Sequence, residues 1–518
     1  MPPLLSPLPK NEFDAYKAAH LLWRAGFGGT WDEAATLAKL GLDAAVDALI
    51  NFPKTPVPAP EGATLPVESE KAFQERVKNL GESERQKAQE DRQARERNGI
   101  TDLKYWWLKR MLDSTAPSGG KPAPLQEKLT LFWHSHFASS YADKIERTYP
   151  MWQQNEMFRE HALDSFPEML KQLIRNPAML VWLDNAQSRR EHPNENFARE
   201  LMELFSTGVG HYSENDVKAA ARSLTGNSVD RDDWSYRFRK DAHDFGQKTY
   251  LGQTGNWDGD DVVRIICEQD ATVTFMTKKF LEFFVYENPE PALLEEASAL
   301  YRAQGLALGP FLATLFKSEL FYSQRATSAI VKSPVVLAIG ALKSMRVDIP
   351  QKDVLTNALR LMGQDVFFPP EVNGWPGGMA WINSNMLLIR YNFANYLLHG
   401  VSPDEFKVFN QKTTAGTMRR QFVQGQRSLN ETVWSPRKQL KDSGMNRKLI
   451  TSGDIVDYYI KQFLQRPVSR DLRDQLLGFA ETDAAGGHKS YSVEDTNFDE
   501  RTKGLVHLIM SSPDYQLC

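Results

Sequence analysis

The chain has 518 residues, 41% of them hydrophobic and 25% charged, with a formal net charge of −4. That length admits two to four ordinary domains or one large helical body, and the composition is that of a soluble globular protein. The near balance of 62 Lys and Arg against 66 Asp and Glu argues against a nucleic-acid partner, and two cysteines, Cys267 and Cys518, exclude a disulfide framework and a cysteine zinc site.

Residues 12–50 read as two or three short helices broken at Gly26-Phe27-Gly28-Gly29. The N-terminal stretch lacks the basic and apolar regions of a secretory signal, and no run approaches the roughly 20 apolar residues that span a bilayer. Residues 52–66 form a proline-rich linker, and 67–98 a charged run that is either a solvated helix or a mobile arm. Apolar content rises from Thr101, and 124–184 read as successive helices. The next helix runs from Asn194 to Thr207 and stops at Gly208. Ser213 and Asp216 have the spacing of a capping box. Residues 227–252 change to a small β hairpin or irregular insertion, with Trp234, Tyr236 and Phe238 alternating with polar residues. Helical patterns return at 259–286, 291–303, 308–318, 328–345 and 351–362. The Pro- and Gly-dense 367–378 reads as a structured loop, 384–398 as a helix and 409–447 as a polar loop. The fold class is therefore mainly α, a large multi-helix body with long loops. Its expected divisions are N-terminal helices at 1–51, linker and charged arm at 52–100, a helical core at 101–400 and a C-terminal helical region at 401–518.

Chemistry concentrates in His192 to Phe205. At about 100° per residue, Asn196, Arg199, Glu200 and Glu203 share one stripe beside the apolar face of Phe197, Leu201, Leu204 and Phe205. Two carboxylates one turn apart, beside an amide and a guanidinium, suit either a cation or an acid/base pair; the alternative is a solvated, salt-bridged face. In Leu125 to Phe137, the apolar pattern makes a helix, on which His136 points inward and His134 nearly opposite. His136 is then either a functional or a hydrogen-bonded core histidine. His243, Asp244 and Lys248 surround a glycine turn. In the loop that follows Glu371, Trp375 and Trp381 are either a flat-ligand platform or core plugs, with Asn383 beyond them. No Walker A loop, H-E-x-x-H, G-x-S-x-G or paired E-x-x-H motif is present.

These motifs resemble, in order, the bacterial family named domain of unknown function 1800. The matching pieces are His20-Leu-Leu-Trp-Arg-Ala-Gly-Phe-Gly28, Leu131 to Phe137, Asn194 to Phe205, Thr207-Gly-Val-Gly210, Ala220 to Gly226, His243 to Lys248, Lys332-Ser-Pro334, Asn373 to Gly378 and Trp381-Ile-Asn383. The resemblance implies a mainly helical fold and no settled activity. It also implies a gene neighbour in a sulfatase-like family, domain of unknown function 1501, whose members often carry twin-arginine export signals. The chain is then expected in the cytoplasm, or in the periplasm by export with that partner.

Two functions are expected from this reading. One is a hydrolase acting on an anionic or carbohydrate-type substrate. Its catalytic groups would be Glu200, Glu203, His136 and His243, and Asn196, Arg199, Lys248, Trp375, Trp381 and Asn383 would hold substrate. A divalent metal on Glu195, Glu200, Glu203, His243 and Asp244 is one form of that chemistry. The other is a non-catalytic binding or assembly partner of a sulfatase-like protein or a surface polysaccharide.

Overall fold

The computed structural model describes residues 4–54, 56–65, 68–141, 144–400, 434–482 and 486–518. It is mainly α-helical, with two small antiparallel sheets of two strands each. Of the polar stretch at 409–447, residues 409–433 lie outside the described residues, and Pro436–Asp442 is a helix. Among the described residues, no helix is long and apolar enough to cross a membrane.

The chain forms two compact units that interleave in sequence: residues 1–9, 43–323 and 364–376 make the first, and 10–42, 324–363 and 377–518 the second. The units therefore do not follow the linear divisions at 51, 100 and 400. One helix, Glu82–Asp113, also runs straight through residue 100. Its first half is the charged run. Its second half turns Leu103, Trp107, Leu108 and Met111 into the core because apolar residues take over one face there.

The first unit is assembled around the helix Pro124–His136, in which every residue except Ser135 is buried. A helix enclosed on all sides must satisfy its polar side chains internally. The Glu127 carboxylate has no exposed surface and accepts from Trp107 Nε1 at 2.9 Å, Arg110 Nε at 2.9 Å and Arg159 Nε at 3.1 Å. Burial pushes its pKa up, but Arg159 and Arg110 overcome that and hold it below the usual carboxylate range. These bonds tie three helices together, Glu82–Asp113, Pro124–His136 and Thr148–Glu160. The helices Glu195–Glu203 and Glu214–Ser223 pack on each other. The Ser213–Asp216 capping box expected from the sequence starts the second of them, the Asp216 carboxylate accepting from Ser213 N at 2.9 Å.

The insertion at 227–252 resolves into two hairpins. Strand β1 (Asn227–Asp230) pairs with β2 (Ser235–Phe238), Asn227 opposite Phe238. Strand β3 (Lys248–Tyr250) pairs with β4 (Gln253–Gly255), Lys248 opposite Gly255.

The second unit has its own motif core. Trp23, on the helix Ala15–Arg24, donates Nε1–H to Gln465 Oε1 at 2.8 Å, and Gln465 Nε2 donates to the Gly29 carbonyl at 2.6 Å. Gly340 leaves room for the Trp23 indole, since a Cβ there would meet the ring and come within 3.1 Å of the Phe27 carbonyl. Arg24 is fully buried and donates to the Ala326 carbonyl. Lys332 Nζ donates to the Tyr515 carbonyl at 2.8 Å and lies 3.8 Å from the Trp23 ring centroid and 4.1 Å from that of Tyr515. Arg390 donates to the Lys332 carbonyl at 2.8 Å and to Gln516 Oε1 at 3.2 Å. Burial, with repulsion from Arg466 and Arg390 and against the pull of Cys518, pushes the Lys332 ammonium down to about 7.

Two outcomes follow. Glu127→Gln takes the shared charge partner from the part-buried Arg110 and from the buried Arg159, which keeps Glu156, and should cost about 3 kcal/mol, read by chemical denaturation. For Lys332, the folded chain binds its proton less readily than the unfolded chain, so the cost of burying it grows as pH falls from 10.5 toward about 7 and is complete below that. Wild type should therefore gain stability relative to Lys332→Met as pH is raised from 7 to 10; a pH-independent difference would contradict the assignment.

Candidate functional site

The polar stripe forms as the sequence predicts, on the helix Glu195–Glu203, but most of it faces internal partners. Asn194 caps the helix by accepting from Asn196 N at 2.8 Å, and Asn196 Nδ2 donates to the Leu183 carbonyl at 3.4 Å. Arg199 donates to both Glu214 oxygens, at 2.7 and 2.8 Å, and lies 3.5 Å from Glu195. This fork joins the helix to the one that begins at Glu214. Glu203 accepts from the Tyr212 hydroxyl at 2.7 Å. Glu200 differs: it is half-buried and forms no side-chain hydrogen bond or ion pair within the described residues. Burial, then the neighbouring Glu203 charge, raises its pKa, against Arg199.

Both histidines of the Leu125–Phe137 motif are buried, which corrects the expectation that His134 would point away from the core. The helix carrying them is enclosed on all sides, so opposite faces are equally interior. His136 Nε2–H donates to the Phe205 carbonyl at 3.0 Å, and its ring stacks on Phe132 with centroids 5.8 Å apart. His134 Nε2 accepts from Phe367 N at 2.9 Å and fixes the start of the Pro/Gly loop. Burial pushes both imidazoles down to about 3, so both are neutral.

That loop packs tightly. Gly374 has φ +78°, and a Cβ there would run into the Ser135 carbonyl. Trp375 is buried and meets the His134 ring edge-on at 5.4 Å. Trp381, in the second unit, is also buried. Little of either indole reaches the surface. Asn383 is the cap of the helix Ser384–His399, accepting from Met386 N at 2.9 Å.

The His243–Lys248 loop is the most heavily braced motif. Asp244 accepts from Arg222 Nε at 2.6 Å and from Gly246 N at 2.8 Å, while its own N–H donates to Thr225 Oγ1 at 2.9 Å. His243 Nδ1–H donates to the Thr225 carbonyl at 2.8 Å. Lys248 is buried and donates to the carbonyls of Asp244 at 2.5 Å and Trp257 at 2.8 Å. Arg222 holds the Asp244 carboxyl below the usual range, and burial lowers the Lys248 ammonium. Glu195, Glu203, His243 and Asp244, read as metal ligands with Glu200, are thus each engaged elsewhere. Among the described residues, no group of three or more His, Cys, Asp or Glu side chains is placed to hold a metal ion.

A family model described as "Protein of unknown function (DUF1800)" matches residues 20–517, nearly the whole chain. The chain belongs to the DUF1800 family. No curated protein and no solved structure matches it. The DUF1800 match spans residues of both units.

Sequence reasoning passed over Arg222, Thr225 and Phe245. The first two lie in the Ala220–Gly226 motif, and only the fold brings that motif to the loop. Phe245 carried a signal in the sequence itself, a large apolar residue inside a polar turn.

The two neutral histidines give a pH test. The unfolded chain takes up their protons below about pH 6.5 and the folded chain refuses them until about pH 3, so stability is lost as pH falls through that window. The slope approaches about 1.4 kcal/mol per pH unit for each histidine. His134→Asn should flatten the acid limb of a stability–pH curve by about half of that two-histidine contribution.

Proposed function

We propose that this DUF1800 protein is a non-catalytic binding or assembly protein. What carries the reading is the use to which the motif side chains are put. Arg199, Glu203, Asp244, Lys248, His134 and His136 spend their polar groups on internal partners. A catalytic group must come within hydrogen-bond reach of the substrate, which these bonds would first have to release or share. Two motif side chains that stand well exposed are instead apolar, Val209 at 73% and Phe245 at 61%. The family resemblance offers one partner to try, the sulfatase-like protein encoded nearby, and a shared export route would place both in the periplasm.

One observation favours the hydrolase. Glu200, half-buried, with a raised pKa and no bonded partner beside an ionisable Glu203, has the environment of a general acid. A metal-independent hydrolase would use Glu200 as the acid and Glu203 as the base.

One substitution separates the two. The full chain, co-expressed with the sulfatase-like neighbour, should co-elute with it in size-exclusion chromatography with light scattering, and Glu200→Gln should leave that assembly intact. Absence of the complex, combined with hydrolysis of sulfated or uronic-acid polysaccharide that Glu200→Gln abolishes without unfolding the chain, would overturn the binding reading.

A further inference from the structure

We propose that the recognition surface is the Phe238–His243–Phe245 patch, and that its occupant is an acidic segment of a partner protein that inserts an apolar side chain between the two phenyl rings. The proposal rests on the binding reading above and names its site.

The patch is built, not merely exposed. The His243 ring meets Phe245 edge-on at 4.6 Å and Phe238 at 5.3 Å, so one buried imidazole supports two phenyl rings that stand 61% and 42% exposed. The backbone on both sides of Phe245 is pinned. Asp244 is fixed through Thr225 and Arg222, Gly246 through the Asp244 carboxylate, and Gln247 through Arg222 Nη1, which donates to its carbonyl at 3.3 Å. Two glycines permit this closeness. A Cβ at Gly246 would lie 2.9 Å from both Arg222 Nη2 and Asp244 Oδ1. At Gly226, with φ +86°, it would lie 2.7 Å from the Arg239 carbonyl and 3.1 Å from the His243 Cβ. A rigid exposed aromatic loses little entropy on binding, which is the property of an interface anchor. Exposing Phe245 carries no benefit for folding, since burying it would stabilise the chain.

The charge around the patch selects the partner. Arg190 N donates to the Ala242 carbonyl at 2.8 Å, bringing Arg189 and Arg190 alongside the loop that holds Arg239 and Lys240. Arg190 pairs with Glu191 at 2.6 Å and Arg239 with Asp241 at 3.0 Å; all four side chains are more than half exposed. Such pairs are worth little and exchange readily for a partner's carboxylates. Arg189 and Lys240 are exposed and form no ion pair within the described residues. Fully paired, the rim therefore still carries two cations. A carboxylate-rich protein segment complements it and would be steered toward it. A polyphosphate chain fits less well, because it offers no apolar side chain to the two exposed phenyl rings.

The test uses the full chain and fluorescence anisotropy with three labelled synthetic peptides, Glu/Leu-rich, Lys/Leu-rich and Glu/Ser-rich, and a single-stranded oligonucleotide. The Glu/Leu peptide should bind most tightly, and its affinity should fall with salt. Phe245→Ser should weaken it at least tenfold, and the double substitution Arg189→Glu with Lys240→Glu should do the same, with circular dichroism unchanged for both. Equal binding of the Lys/Leu peptide, tighter binding of the oligonucleotide, or indifference to Phe245→Ser would overturn the proposal. So would a complex with the sulfatase-like protein that survives Phe245→Ser; that result would leave the binding reading standing and remove only this surface.

Discussion

Glu127 has no contact with solvent, yet it is ionised, and the first unit is arranged to make that tolerable. Desolvating a carboxylate costs several kcal/mol, recovered only when strong donors surround it. Trp107, Arg110 and Arg159 supply them from two further helices. That requirement fixes how Glu82–Asp113 and Thr148–Glu160 lie against Pro124–His136. With that helix enclosed, His134 and His136 must in turn find partners inside, and they take the Phe367 amide and the Phe205 carbonyl. The Pro/Gly loop and the end of the polar-stripe helix are placed by those two bonds.

The same logic recurs at the surface with a different result. Around His243 the buried donors and acceptors are again satisfied, but the structure they hold is a loop that presents a phenyl ring to water. Asp244, Arg222, Thr225 and Lys248 form a bracket whose visible product is Phe245. Polar motif residues here hold an exposed phenyl ring in place.

Glu200 stands apart. It is the carboxylate of the stripe without a bonded partner in the described residues, and its ionised form is disfavoured by burial and by Glu203. That environment is the observation on which the alternative hydrolase reading rests.

The helical character, the stripe Asn196–Arg199–Glu200–Glu203, the Ser213 capping box and the break to β structure near 227 were all legible in the sequence. Each depends on periodicity or on residues within a few positions of one another. Family membership was legible too, since ordered motifs are a property of the string. The partners of those motifs were not. Whether His134 faces inward, whether Trp375 is a platform or a plug, and whether Asp244 is a ligand or a brace for Arg222 depend on groups tens to hundreds of residues away. The same holds for Lys332, whose cage joins Trp23 to Tyr515 across almost the whole chain. Local sequence set the elements because backbone hydrogen bonding and amphipathicity act at short range. Only the tertiary structure decided which polar groups were consumed, because buried donors and acceptors are satisfied by whatever the fold brings beside them.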